Sequence, residues 1–277
     1  MRDWASGGGA KIERAKEHVQ DFALASRAFL EAHRYSAVSQ FDAQSREIDS
    51  VVQGSHAVPP RLACIAADAA HNLHASLDIL WRQVWATNRR YFPCTEETHE
   101  LKARFKSVKE TSQHIAVDIL FAAKADQARN KTLRALHELD TRDKHEVPIL
   151  AAAVYKKIVM RAPPDVALDG RTGLTFVGEI ASGFVFLEHG AHLPLALRIE
   201  TDAGPVMDME CELTPDIAFA KGEILEGKPV LETLHEFAQL VDGIARAFVK
   251  AGLLAVVLAP LTPSVLHTLG VSSILLP

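Results

Sequence analysis

The fold is decided by residues 61–87, which read RLACIAADAAHNLHASLDILWRQVWAT. Apolar side chains recur in this stretch at three- and four-residue steps, so on a helix they form one stripe that faces a core. The stripe consists of Leu62, Ala66, Ala69, Leu73, Leu77, Leu80 and Val84. A polar line on the other side consists of Cys64, Asp68, His71, Asp78 and Arg82. One long helix is therefore predicted to build the core with one face and to present polar chemistry on the other.

The flanking sequence predicts further helices and a hairpin. Residues 11–33 repeat apolar side chains at helical spacing. Two short β-prone runs, at residues 35–41 and 48–52, flank a polar turn and predict a β-hairpin. Shorter helices are predicted at residues 96–106, 114–125 and 127–142. The first half of the chain is thus expected to be a helical bundle with one hairpin inserted.

The periodicity changes to that of strands after residue 146. Strand-like runs, separated by Gly and Pro turns, cover residues 149–159, 174–180, 184–188, 195–200 and 206–213. Residues 229–250 then return to helical spacing. The predicted fold class is therefore α+β, in which an N-terminal helical bundle precedes a small, mostly antiparallel sheet and an amphipathic helix that backs it.

The predicted domain layout follows these changes of pattern. It consists of a flexible leader at residues 1–10, a helical domain at 11–146 with its hairpin near 35–52, a β-rich segment with a closing helix at 147–250, and an uncharged apolar tail at 251–277. The leader lacks the apolar stretch of a secretory signal. In the tail, Pro260 and Pro263 interrupt the apolar run, so contact with a membrane is not expected except through this segment.

Composition and charge narrow the class of protein. The net charge of −5 offers no general attraction to nucleic acid, so an RNA contact requires a local basic patch. The three cysteines lack CxxC spacing, which argues against a disulfide framework or a zinc ribbon and favours the reducing cytoplasm. The chain has no phosphate-binding loop, dinucleotide fingerprint, GxSxG elbow or HExxH motif, so no cofactor is predicted.

The run His71-Asn72-Leu73-His74-Ala75-Ser76-Leu77-Asp78 resembles the signature of a large, functionally uncharacterised family of bacterial and phage proteins, which reads His-Asn-Leu-Arg-Ser-Ala-Leu-Asp-His. The family's other landmarks occur in the same order along this chain. Before the run come Ala15, His18 and Phe22, and after it come Phe92-Pro93, Leu136-His137-Glu138-Leu139, Asp143-Lys144-His145 and residues 214–219. The resemblance covers roughly residues 11–249 and implies no known activity by itself.

The family signature contains Arg-x4-His, which is similar to the motif of the HEPN-type metal-independent ribonucleases. In such sites the Arg stabilises charge on the phosphate, and the His moves protons during attack by the ribose 2′-hydroxyl. These two positions hold His74 and Ile79 in this chain, and isoleucine cannot transfer a proton. Thr141 and Glu146 likewise replace the family's Asn and Arg. The resemblance therefore implies a HEPN-like module that is catalytically degenerate.

The leading functional hypothesis is a polar groove between the helices predicted at 61–87 and 127–142. It would bind RNA or a protein partner, and the chain could also form a homo-oligomer. The groove candidates are His71, Asn72, His74, Asp78, Asp143, Lys144 and His145.

Two alternatives from other classes stay open. Asp68 and His71 are one helical turn apart, as are His137 and Asp140, and acid-x-x-His pairs on facing helices can bind a transition metal. A metal- or small-ligand-binding enzyme would then use Asp68, His71, His74 and His137. However, the further glutamates of such sites are missing, so no metal is assigned. The other alternative is a purely structural interaction protein, in which these polar side chains form a buried hydrogen-bond network.

Overall fold

A computed structural model provides the coordinates. It describes residues 5–33, 35–42, 47–53, 56–85, 91–93, 98–106, 111–123, 130–143, 148, 150–161, 167–168, 171–172, 175–188, 190–192, 206–213 and 215–254. The helices within these ranges are α1 (Ala10–Ala32), α2 (Pro60–Val84), α3 (Thr98–Phe105), α4 (Thr111–Ala122), α5 (Lys131–Asp143) and α6 (Val230–Lys250). The strands are β1 (Ser36–Asp42), β2 (Glu47–Gln53), β3 (Leu150–Arg161), β4 (Ala167–Leu168), β5 (Arg171–Thr172), β6 (Thr175–Phe186), β7 (Val206–Glu212) and β8 (Pro215–Phe219).

Helix α2 is the centre of the helical layer. Pro60 occupies its first turn, where the missing N–H costs no hydrogen bond, and Trp85 ends it in an extended conformation. The apolar stripe predicted for this helix is buried except at its last residue, Val84, which is partly buried. Helices α1, α4, α5 and α6 all contact α2. The stripe joins one hydrophobic core with side chains such as Phe22, Leu136, Phe237 and Phe248. Because α2 is held on several sides, its polar residues have fixed positions relative to α1 and α5.

The strands form a six-stranded sheet and a separate two-stranded sheet, and all of their pairings are antiparallel. The larger sheet has the order β2-β1-β7-β3-β6, and β8 also pairs with β3. The predicted α+β class is thereby confirmed, as is the hairpin, whose strands pair from Ser36 with Gln53 to Asp42 with Glu47.

Both layers combine early and late parts of the chain. Strand β1 pairs along its whole length with β7, with Ser36 opposite Glu212. Helix α6 packs against α1 and α2 as well as against β8, so it completes the helical bundle in addition to contacting the sheet. The change of pattern near residue 146 therefore marks where helices give way to strands, whereas the contacts of the sheet and of the bundle cross that point.

Some predicted boundaries need correction. Residues 5–10 are not a free leader, because Ala5–Gly9 form one π-helical turn that runs into α1 and contacts α2. The strands predicted at 174–180 and 184–188 are the single strand β6, and Gly183 lies within it at an irregularity in the register with β3. The strand predicted at 195–200 and tail residues 255–277 lie outside the described residues. Within the described residues, no helix is long and apolar enough to cross a membrane.

Strand β8 carries a carboxylate that makes folding depend on pH. Burial raises the pKa of Asp216, the nearby Glu232 raises it further, and the hydrogen bond that the Ile217 N–H donates to Asp216 opposes the rise. The folded state thus holds this proton more tightly than the unfolded state. The resulting stabilisation is complete below the unfolded-state pKa, and it is lost as the pH rises through the folded-state pKa.

We therefore expect Asp216→Asn to be more stable than the wild type near pH 7 and to lose that advantage as the pH falls toward the ordinary pKa of an aspartate. Asparagine has no proton to lose, and its side-chain oxygen can still accept the hydrogen bond from Ile217. Urea unfolding at a series of pH values measures the difference, with exposed Asp118→Asn as the control. A stability difference that does not change with pH would contradict this expectation.

Candidate functional site

The candidate site lies where α2 and α5 pack against each other. His71 and His74 are one turn apart on α2, and His137 and Asp140 are one turn apart on α5. Helix α5 begins with a side-chain cap, because Asn130 Oδ1 accepts the Leu133 N–H at 2.9 Å. The buried side chains of Leu133, Leu136 and Leu139 fix which face of α5 turns toward the core. The two i, i+3 pairs consequently meet across the helix–helix contact.

Asp140 is at the centre of this group. Its Oδ1 lies 2.7 Å from Nδ1 of His71, and its Oδ2 lies 3.1 Å from Nδ1 of His74. Asp140 is only 2% exposed and His74 only 5% exposed, whereas the His71 side chain is 45% exposed. A buried carboxylate is stabilised only when its oxygens accept hydrogen bonds, and here each oxygen has an imidazole partner.

The hydrogen bonds continue from His74 along α5. Nε2 of His74 lies 3.0 Å from Nδ1 of His137, and Nε2 of His137 lies 3.5 Å from Oγ1 of Thr141. We call His71, Asp140, His74 and His137 the histidine network. It runs from the half-exposed imidazole of His71, through two buried groups, to the partly exposed imidazole of His137.

The contacts of the histidine network favour one tautomer for each neutral imidazole. Because an ionised Asp140 only accepts, Nδ1 of His71 carries the hydrogen of their bond, and the 3.1 Å contact with Oδ2 favours the same tautomer for His74. Nε2 of His74 is then an acceptor, so Nδ1 of His137 donates to it. Nε2 of His137 in turn is placed to accept from the hydroxyl of Thr141. The arrangement leaves Nε2 of His71 without a hydrogen-bond partner among the described residues, on the exposed side of the ring.

Asp78 connects the histidine network to the segment after α2. Its Oδ1 accepts the backbone N–H of Phe92 at 2.8 Å, and its Oδ2 lies 4.0 Å from Nδ1 of His74. Phe92 and Pro93 are both buried. Asp78 therefore positions the Phe-Pro landmark over the end of α2, and its second oxygen adds negative charge beside His74.

Asn72 belongs to a different contact from its neighbour His71. Its Nδ2 donates to the Asp68 carbonyl at 2.8 Å, and its Oδ1 accepts from Nζ of Lys11 on α1 at 2.9 Å. Adjacent residues on a helix point about 100° apart, which directs Asn72 toward α1 while His71 faces α5. Asn72 thus does not line the α2–α5 contact, but it holds the cation of Lys11 one residue from His71.

Asp68 also faces α1. Its charge contributes to the raised pKa of Arg14, after the larger effect of the hydrogen bond from Arg14 to Glu17. A strip of α2 formed by exposed Asp68 and by partly exposed His71 and Ala75 is thus bordered by α1 on one side and by α5 on the other. We call this strip and its two borders the α2 cleft.

The remaining groove candidates are described only in part. Asp143 is the last residue of α5, and neither its side chain nor residues Lys144 and His145 are among the described residues. The sequence-based expectation that Lys144 and His145 line the groove therefore falls outside the described structure.

The four residues considered for a metal are not arranged as a ligand set. His71 and His74 both direct Nδ1 at Asp140, His74 uses Nε2 on His137, and Asp68 lies toward α1. The described part of the chain contains no group of three or more His, Cys, Asp or Glu side chains placed to hold a metal ion.

No family model, curated protein or solved structure matches this chain. Two important residues of the site were not among the groove candidates. The i, i+3 spacing of Asp140 from His137 could have identified Asp140 from the sequence. No sequence pattern points to Lys11, because only the packing of α1 on α2 brings it to Asn72.

Proposed function

We propose that the protein is a HEPN-like helical module that binds RNA in the α2 cleft without cleaving it, and that His71 is the group that contacts a phosphate. The observation that carries the proposal is the 2.7 Å contact between Nδ1 of His71 and buried Asp140, which fixes the ring with Nε2 on its exposed side. A protonated imidazole held in this way can donate Nε2–H to a phosphate oxygen.

A second cation supports RNA over a protein partner. Lys11 is anchored to Asn72, the residue after His71, so an ammonium and an imidazole border the same part of the α2 cleft. The net charge of the chain is −5, and this local basic pair is the kind of patch that an RNA contact requires in such a protein. Arg14 lies one turn further along α1, although Glu17 already accepts its hydrogen bond.

The positions that would carry HEPN catalysis support binding without cleavage. His74, at the Arg position, is buried, with Nδ1 3.1 Å from Asp140 and Nε2 3.0 Å from His137, so it is not placed to touch a phosphate. Ile79, at the His position, packs against the hydrophobic core. Neither side chain can supply the charge stabilisation or the proton transfer that the ribonuclease reaction needs.

The test is equilibrium binding of a labelled single-stranded RNA, followed by fluorescence anisotropy at several salt concentrations. We expect His71→Ala to weaken binding by about ten-fold, the effect of losing one hydrogen bond to a charged group. We expect Lys11→Gln to weaken binding and to reduce the slope of log K against log salt by about 0.7, the value for one phosphate contact on a single strand.

The controls separate the α2 cleft from general charge. Arg82→Gln changes an exposed cation three turns further along α2 and should leave the affinity unchanged. The RNA should also remain intact in every sample, as judged on a denaturing gel. The proposal fails if the wild type does not bind RNA, or if His71→Ala and Lys11→Gln bind as tightly as the wild type. Cleavage that depends on His71 would replace it with a catalytic role for the same residue.

A further inference from the structure

A second site lies at the opposite end of α5 from the histidine network. A cavity of about 420 Å³ opens between the first turns of α5, the loop that follows β8 and the first turns of α6. Its size is within the range of about 300–1,000 Å³ that is usual for small-molecule sites. The lining residues from α5 are Lys131, Thr132, Arg134 and Ala135, whereas the histidine network uses the last turns of that helix. The cavity is therefore separate from the α2 cleft.

The inner surface of this cavity is apolar. Phe237 of α6 is buried in the core beneath it, and Leu225 and Ala135 contribute aliphatic walls. Ile224 is 39% exposed and borders the same cavity. A single exposed isoleucine is ordinary, but one that continues a concave apolar surface extends the area available to a hydrocarbon group.

The polar part of the lining is mainly cationic. Lys131, Arg134 and Lys228 contribute positive charges, and Glu236 contributes a negative one. Arg134 is already bound to Glu138 at 2.6 Å. By contrast, the ammonium groups of Lys131 and Lys228 form no ion pair or hydrogen bond with any residue that the structure describes. The start of α5 adds a partial positive charge from the helix dipole.

We propose that this cavity binds a small amphipathic carboxylate with a hydrocarbon chain. The carboxylate would pair with Lys131 and Lys228, and the hydrocarbon would contact Leu225, Ile224 and Phe237. Two unpaired cations beside an apolar cavity are complementary to this combination, since a neutral hydrocarbon leaves both charges unused and a short anion leaves the apolar surface uncovered.

The first experiment titrates the full chain with decanoate, decanol and butyrate and measures each affinity by calorimetry. We expect decanoate to bind at one site, and decanol and butyrate each to bind at least about ten-fold more weakly, because each lacks one of the two interactions. Equal binding of decanol and decanoate, or no binding of decanoate, would overturn the proposal.

The second experiment assigns the site with matched surface variants. Lys131→Gln combined with Lys228→Gln should weaken decanoate binding about ten-fold and leave decanol binding unchanged. Lys102→Gln combined with Lys106→Gln removes two exposed charges near the end of α3 and should have no effect. His71→Ala should retain decanoate affinity, so this result is independent of RNA binding. Decanoate affinity that survives in the first double variant, or that falls equally in the control pair, would exclude this cavity as the site.

Discussion

Asp140→Ala should lower the free energy of unfolding by about 3 kcal/mol, because it removes the buried carboxylate that both His71 and His74 contact. Asp140 is 2% exposed and bonds to both His71 and His74. His71 can turn to water, since its side chain is half-exposed. His74 cannot, so the larger part of the loss should come from its buried imidazole. Urea unfolding followed by circular dichroism measures this change.

Asp140→Asn tests the tautomers inferred for the histidine network. The amide oxygen can accept from one imidazole, but the amide NH2 then meets the Nδ1–H of the other. To avoid this contact between two donors, one histidine must move its hydrogen from Nδ1 to Nε2. In His74 that change would also break the donation from His137. We expect a loss of about 1–2 kcal/mol and a changed ¹⁵N spectrum of the ring nitrogens. Exposed Asp118→Ala is the control and should stay within about 0.5 kcal/mol of the wild type. A similarly small change in the free energy of unfolding on Asp140→Ala would contradict the expectation that the histidine network stabilises the fold.

Trp81→Ala should destabilise the protein by about 3–5 kcal/mol, as expected for the loss of a large aromatic side chain from a packed core. Trp81 is fully buried near the end of α2. Its ring lies 5.4 Å from that of Trp85, 5.6 Å from Phe92 and 5.8 Å from Phe105, measured between centroids. The cavity left by alanine would therefore loosen the contacts of α2 with the Phe-Pro segment and with α3.

Trp81→Phe is the matched variant for this prediction. The indole Nε1 of Trp81 is buried and forms no hydrogen bond with a described residue, so phenylalanine removes no polar contact. We expect it to cost about 1.5 kcal/mol or less. Thermal unfolding, together with near-ultraviolet circular dichroism, compares the two variants. Equal losses for Ala and Phe would mean that a polar interaction of the indole, and not its volume, stabilises this part of the core.

The sequence predicted the elements better than their pairing. The apolar stripe from Leu62 to Val84 identified α2 within a few residues, because its period depends only on neighbouring side chains. The hairpin was predicted for the same reason. The partner of β1 was not, since its pairing with β7 joins distant parts of the chain and leaves no local pattern. A glycine between two strand-like runs predicts a turn, but Gly183 lies instead at an irregularity inside a strand.

The candidate site was predictable to a similar degree. Spacing alone put His71 beside His74 and His137 beside Asp140, because i, i+3 neighbours share a helix face. It could not show that Asp140 lies between the two histidines of α2, which depends on how α2 and α5 pack. Asn72 was grouped with His71 as a sequence neighbour. The rotation of the helix between consecutive residues instead directs Asn72 toward Lys11.

The pairing of β1 with β7 has a consequence for synthesis of the chain. The hairpin leaves the ribosome early, but the strand that covers its inner edge, from Val206 to Glu212, is translated much later. Until then β1 presents an unpaired edge, which is a template for association with other chains. Completion of the sheet must also await closure of a long loop, and contacts between such distant residues slow folding. A nascent chain of this protein is thus expected to depend on chaperones until its last third has emerged.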